Sequence, residues 1–278
     1  MLSMNLVIYS NCQGEHIYKH FLDGHLPIKT YTYIACHGFI NEKRPVPIDV
    51  LEQCDVFLYQ LVQKCHGIYS TVDKSGLLQY LPPSCKKISF CYYYLDHYPL
   101  YEDPSGAYVG GDCVLRLKEQ GVSLERILQM YDEGALDFGT KTRYEESIRR
   151  MREKESVCTI QAVDFILEHV KTMRLFDTIN HPNGIVLAHV ANKIFEVLGI
   201  EMKYEEFYYK HIRIHGFWAY NPYMNHEVGI EYNEPAENYK LLIWKLYNGL
   251  LRAAVPKLNT TTSPENNTPA YNTIPTAS

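Results

Sequence analysis

The opening of the chain constrains the fold most tightly. Asn5-Leu6-Val7-Ile8-Tyr9 is a strand-forming run, and Ser10-Asn11-Cys12-Gln13-Gly14 turns it straight into Glu15–Leu22, where Ile17, Phe21 and Tyr18 recur at helical spacing. A strand apolar on both faces needs cover on both faces, and strand, tight turn and helix provide it in a parallel α/β fold. Asp55–Val62 is a second apolar run too short for a helix, and Lys29–Cys36 and Lys87–Tyr93 read as further strands. The expectation is an α/β protein, a parallel sheet flanked by helices.

Past about residue 120 the pattern turns helical. Ser123 is a good cap for a helix through Met130 with Glu125 in its first turn. Tyr144–Lys154 is helical and highly charged, Ile160–Met173 is amphipathic, and Gly184–Leu198 follows Asn180-His181-Pro182-Asn183. Tyr239–Ala254 makes a last helix. Earlier, Lys74–Tyr80 is a short helix stopped by Pro82-Pro83, and Asp103–Asp112 is a loop. From Pro256 the sequence is Thr, Asn, Pro and Ser with little to bury, so 256–278 is expected to be a disordered polar tail after a single domain over 1–255.

The formal net charge of −5 gives no global attraction to nucleic acid or to an anionic membrane. The first residues lack a basic stretch before an apolar core, and no run is long enough to span a bilayer. Eight cysteines without a Cys-x-x-Cys pair point to reduced thiols and a cytoplasmic location. Cys36, Cys54, Cys85, Cys91 and Cys158 read as small core residues. The histidines show no compact spacing with carboxylates or thiols, so no metal is expected.

Two segments carry chemistry. Ligands of parallel α/β sheets bind beyond the carboxyl ends of strands, where the Ser10–Gly14 turn sits. A helix starting there offers free N–H groups and a positive dipole end, which favour a thiolate at Cys12 or an oxyanion beside it. Asn11 and Gln13 add amide donors, and Gly14 permits close backbone approach. The plainer alternative makes Cys12 a packing residue and Asn11 a cap. In Asp177-Thr178-Ile179-Asn180-His181-Pro182-Asn183-Gly184, His181 is placed to titrate near neutral pH, and Asp177 is a candidate to orient it. The alternative has Asn180 capping the helix, Pro182 in its first turn and His181 solvated.

Other polar or aromatic groups stay open between roles. The 24 tyrosines include Tyr92-Tyr93-Tyr94, Tyr98 and Tyr101, which either line a cleft or pack a strand. The tyrosines and Trp218 are also candidates to stack on rings of a ligand. Lys141, Arg143, Arg149 and Arg150, interleaved with Glu145 and Glu146, either meet phosphates or form a solvated helix face.

Val7–Gly14, Asp55–Gln60 and Asn180-His181-Pro182-Asn183, in this order, resemble the WcbI family of polysaccharide-biosynthesis proteins over roughly residues 4–200. The aromatic strand after Lys87 and the stretch Tyr108–Gly121 fit as well. The resemblance implies an SGNH/flavodoxin-like three-layer core with a helical C-terminal part, a coenzyme A site, and an acetyltransferase role in glycan assembly. Cys12 then stands where SGNH enzymes place a serine, and His181 near their late histidine. Asp177 is four residues ahead of His181 rather than three, which puts the orienting acid in doubt. Gln60, at the end of its strand, then stands where that superfamily places an oxyanion-hole amide, with Asn11, Gln13, Gly14, Asn180 and Asn183 as further substrate-binding candidates. Acetyl-CoA would be the co-substrate and a sugar or nucleotide sugar the acceptor. Transfer is either direct, with His181 as base, or through an acetylated Cys12. An esterase or thioesterase using the same pair is one rival, and a non-catalytic CoA- or glycan-binding module is another.

Overall fold

The structure, a computed structural model, describes residues 3–102, 107–214, 218, 220–232 and 239–253. The expected polar tail at 256–278 lies outside the described residues. The chain forms two compact units where the sequence suggested one domain. The first holds residues up to Asp96, Thr142–Trp218 and Ile230–Tyr232. The second holds His97–Lys141 with the described parts of 219–229 and 233–278.

The first unit is built on four parallel strands, β1 (Met4–Ser10), β2 (Ile28–Ala35), β3 (Val56–Gln60) and β4 (Lys86–Phe90), in the order β2-β1-β3-β4. β1 is central, and Leu6 through Ser10 are all buried. Chain order reverses direction between the β2 and β3 sides of β1, so a topological switch point lies beyond the carboxyl ends of β1 and β3. Asn11 and Gln60 stand there.

Strand alternation sends β1 side chains to two covered faces. Val7 and Tyr9 join Phe39, Leu51, Phe57 and Leu77 in one cluster, with Tyr9 edge-on to Phe39 at 6.4 Å. Phe39 belongs to α2 (Cys36–Asn41) and Leu51 to α3 (Ile48–Glu52), which follow α1 (Cys12–Ile17) in the chain. Ile8 and Ser10 face α1. A Cβ on Gly14 would lie 2.0 Å from Ser10 Oγ and 3.0 Å from Ile8 Cγ2, so only glycine lets the helix press this closely on the strand. Helix α1 continues as a wider π-type turn over Tyr18–Leu22. The Gly184–Leu198 helix, buried along most of its length, packs beside α1.

Some elements are shorter than their periodicity suggests. The Ile160–Met173 pattern yields a helix only over Val163–His169. Ile160 N–H donates to Ser89 O at 2.9 Å, and Ser89 and Thr159 exchange further hydrogen bonds, so this stretch follows β4 before it can coil. The Glu155 carboxylate then accepts from Ala162 N and Val163 N at 2.6 and 3.0 Å and starts the helix. Lys74–Tyr80 gives a single 3₁₀ turn over Leu77–Tyr80.

In the second unit, Asp112–Glu119, Leu124–Asp132 and Tyr239–Tyr247 are helices around Val114, Ile127, Phe138, Tyr223, Ile243 and Leu246. Ser123 caps Leu124–Asp132 by accepting from Arg126 N. The stretch expected as a loop contributes Ala107–Val109 to a small sheet with Tyr101–Glu102 and Arg252–Ala253.

Candidate functional site

The Cys12 turn begins where β1 ends. Asn11 caps α1, its Oδ1 accepting from Gln13 N at 3.0 Å. Its backbone N–H donates to Gln60 Oε1 at 2.9 Å, which ties the ends of β1 and β3 together. Gln13 is completely buried. Its Nε2 donates to Tyr93 O at 2.8 Å and Asn180 O at 3.0 Å, and its Oε1 accepts from Tyr93 N and Gln60 Nε2 at 3.2 and 3.3 Å. The Gln13 and Gln60 amides, two of the three expected as oxyanion donors, are therefore committed to protein partners. Asn11 Nδ2, on a half-buried side chain, has no partner among the described residues and is the uncommitted amide donor of the turn.

The second segment is a small antiparallel hairpin of Phe176–Thr178 and His181–Pro182. Phe176 pairs with Pro182 and Thr178 with His181, so two residues oppose one step and Asp177 is the extra residue of a bulge. That places Thr178, not Asp177, across from His181, and the Thr178 hydroxyl lies 2.7 Å from His181 Nδ1. The Asp177 carboxylate instead meets Arg213 at 3.1 Å and Arg174 at 3.9 Å. The expectation that Asp177 orients the imidazole is corrected accordingly, and Thr178 is the residue that sequence reading missed. Thr178 also donates to Asn180 Oδ1 at 3.0 Å. A hydroxyl has one hydrogen. With that hydrogen on Asn180, its oxygen accepts from His181 Nδ1–H, and Nε2 is left with the lone pair.

The two segments meet: the Gln13 to Asn180 bond joins residues 167 apart in sequence. His181 is buried rather than solvated. Asn183, rather than Asn180, caps the Gly184–Leu198 helix, accepting from Ile185 N at 3.0 Å while its Nδ2 donates to Arg174 O at 2.7 Å. Asn183 is thus occupied with the fold, and Asn180 offers its carbonyl to Gln13 and its Oδ1 to Thr178.

The electrostatics of Cys12 differ from the helix-terminus expectation. Burial pushes its thiol up to about 11, against the opposing pull of its own and the Gln13 N–H groups, with Glu15 adding to the rise. Tyr33 from β2 and Cys36 beyond it lie near enough to interact with the sulfur, and burial holds Cys36 up at about 12. Six helical residues give a short dipole, and desolvation wins. At neutral pH Cys12 is a thiol. Cys12 is half-buried, and all eight cysteines are free.

Residues 5–203 match the family model of the polysaccharide biosynthesis enzyme WcbI. The chain belongs to the WcbI family. A solved structure of WcbI superposes with a TM-score of 0.62, at 19% identity over 89% of each chain. That protein is described as a novel polysaccharide biosynthesis enzyme, in a native form without a disulfide bond between coenzyme A and one of its cysteines. At such identity the likeness shows the shared fold. No curated protein matches the chain.

In this member of the WcbI family most of the remaining candidates already have protein partners, while Lys141 is exposed. Tyr93, Tyr94, Tyr98 and Tyr101 are buried, and Tyr92 stacks on Tyr94 with centroids 5.7 Å apart. Arg149 and Arg150 are bound to Glu146 at 2.7 and 2.6 Å, and hydrogen bonds from both hold the Glu146 carboxyl down to about 2. Arg143 pairs with the buried Asp96 at 3.2 Å. Trp218 is half-buried, its N–H given to Asp177 O at 2.9 Å. Among the described residues, no group of three or more histidines, cysteines or carboxylates is arranged to hold a metal, and no helix is long and apolar enough to cross a membrane.

Proposed function

We propose that this chain is an acetyl-CoA-dependent acetyltransferase that modifies a sugar or nucleotide sugar in polysaccharide biosynthesis. One observation carries the reading. The Gln13–Asn180 bond joins the Cys12 turn to a histidine whose Nδ1 is held by Thr178, at the switch point where parallel sheets bind ligands. The solved WcbI structure is described with reference to coenzyme A and a cysteine. Cys12, half-buried at the end of β1, is the thiol we place beside the coenzyme sulfur in this chain.

The raised Cys12 thiol favours direct transfer. With its thiol up at about 11, Cys12 is a poor nucleophile at neutral pH. In direct transfer His181 Nε2 takes the proton of the acceptor hydroxyl or amine, and that oxygen or nitrogen bonds to the acetyl carbon. The thioester C–S bond breaks, and the departing thiolate takes the proton back from the imidazolium. Asn11 Nδ2 and the backbone N–H of Cys12 are the donors we assign to the oxyanion, since the N–H groups of Asn11, Gln13 and Gly14 already have partners.

The test is release of coenzyme A from acetyl-CoA with and without a panel of nucleotide sugars. Release that depends on one sugar, with a mass gain of one acetyl group on it, is expected. Equal release without any sugar contradicts the reading and points to a thioesterase.

A further inference from the structure

Helix α1 and its π-type continuation carry Cys12, His16 and His20 at intervals of four, which brings them along one side of the helix. His16 Nδ1 and His20 Nε2 lie 3.3 Å apart, with ring centroids at 5.4 Å and planes inclined by 28°. A third imidazole, His211, stands close enough to act on His20. Burial, then Lys19 and His211, hold the His20 imidazolium below its ordinary range. The turn Glu206–Tyr209 that brings His211 here is fastened to the helix. Tyr209 sits edge-on to Phe21 at 5.1 Å, and Tyr204 OH donates to Phe21 O at 2.6 Å. Tyr208, next to the His211 ring at 6.0 Å, is 73% exposed.

Two carboxylates of the helix and its end are already engaged, Glu206 of the turn faces His189 and Asn192, and Glu205 before it is exposed. Glu15 is bound to Lys19 at 2.6 Å, and Asp23 accepts from Tyr18 OH at 3.1 Å. Lys210, Lys203 and His25 are exposed basic groups on the same stretches, and the exposed Arg213 is paired with Asp177. The three imidazoles are gathered beside one another, and an anion placed among them would favour their charged forms. The site runs from about one helical turn (His16) to about two (His20) beyond Cys12, roughly 6 to 12 Å along the axis at the ordinary rise per residue. A pantetheine arm has the length to span it.

We infer that His16, His20 and His211 form the subsite for the phosphates of the coenzyme whose sulfur lies at Cys12, an inference that rests on the acetyl-CoA reading above. The imidazole N–H groups donate to phosphate oxygens, and the open face of Tyr208 takes the adenine. Protonation of the cluster strengthens the contact, so affinity rises as pH falls through the histidine range.

Calorimetry on the full chain, with EDTA present, tests this using coenzyme A and pantetheine at about pH 6 and about pH 8. Coenzyme A is expected to bind about tenfold more tightly at the lower pH, while pantetheine shows no such gain. His20→Gln with His211→Gln abolishes the gain. His20→Lys with His211→Lys keeps the affinity and flattens the pH dependence, which separates charge from damage to the fold. Wild-type affinity and pH dependence in the glutamine variant overturn the subsite and leave the acetyl-CoA reading standing. A wild-type protein that binds neither ligand overturns both.

Discussion

The Cys12 turn and the His181 hairpin are built from similar polar residues and put them to different uses. In the turn, Gln13 and Gln60 are buried and their amides are committed to Tyr93, Asn180, Asn11 and each other. Gly14 serves the packing of α1 on β1. In the hairpin, Thr178 and Asn180 form a short chain that ends on the His181 ring. The turn's amides mostly tie the two segments together, and the hairpin holds the imidazole to which the proposed function gives the proton transfer. Polarity in a motif is therefore not a count of catalytic groups. Each donor has to be followed to its partner.

That contrast can be broken by experiment, from larger effects to smaller. His181→Ala is expected to lower sugar-dependent acetyl transfer by about a hundredfold or more while the melting temperature changes little. Gln13→Ala is expected to do the reverse in kind. It leaves three or more buried partners unsatisfied and costs about 3 kcal/mol in denaturant unfolding. Gly14→Ala forces α1 off β1 and costs about 2 kcal/mol by the same measurement. Equal losses of activity in His181→Ala and Gln13→Ala, without loss of stability in the second, would erase the distinction. Thr178→Val is expected to slow transfer by about tenfold and to displace the pH–rate profile, because the hydroxyl that orients Nδ1 is gone.

The smallest effect concerns the thiol. Burial disfavours the thiolate of Cys12, so its alkylation by iodoacetamide is expected to stay slow through the neutral range and to accelerate only toward about pH 11. Fast alkylation near neutral pH would restore the thiolate that a helix terminus alone implies.

The four strands were legible because apolar runs of that length, bounded by turns, fit little else, and Ser123 was legible as a cap because capping is local. The site was legible as two short polar segments, but its wiring was not. A one-residue bulge at Asp177 exchanges the partner of His181, and nothing in residue spacing announces it. Cys12 was read from its helix alone, while burial governs its thiol, and Tyr33 of β2 and Cys36 at the start of α2 lie near enough to interact with it. Gln13 looked like a donor to ligand because its partners lie 80 and 167 residues away. The three-histidine face was invisible for the same reason, since His211 arrives from a distant turn.

The central claim is that the imidazole carries the proton while the thiol stays neutral. Acetyl transfer to the sugar acceptor by wild type, Cys12→Ala and His181→Ala, measured side by side at neutral pH, tests it most directly. Cys12→Ala should retain transfer to within about tenfold, and His181→Ala should lose about a hundredfold or more. Loss of transfer in Cys12→Ala, with acetylated Cys12 trapped in the His181→Ala protein, would contradict the account.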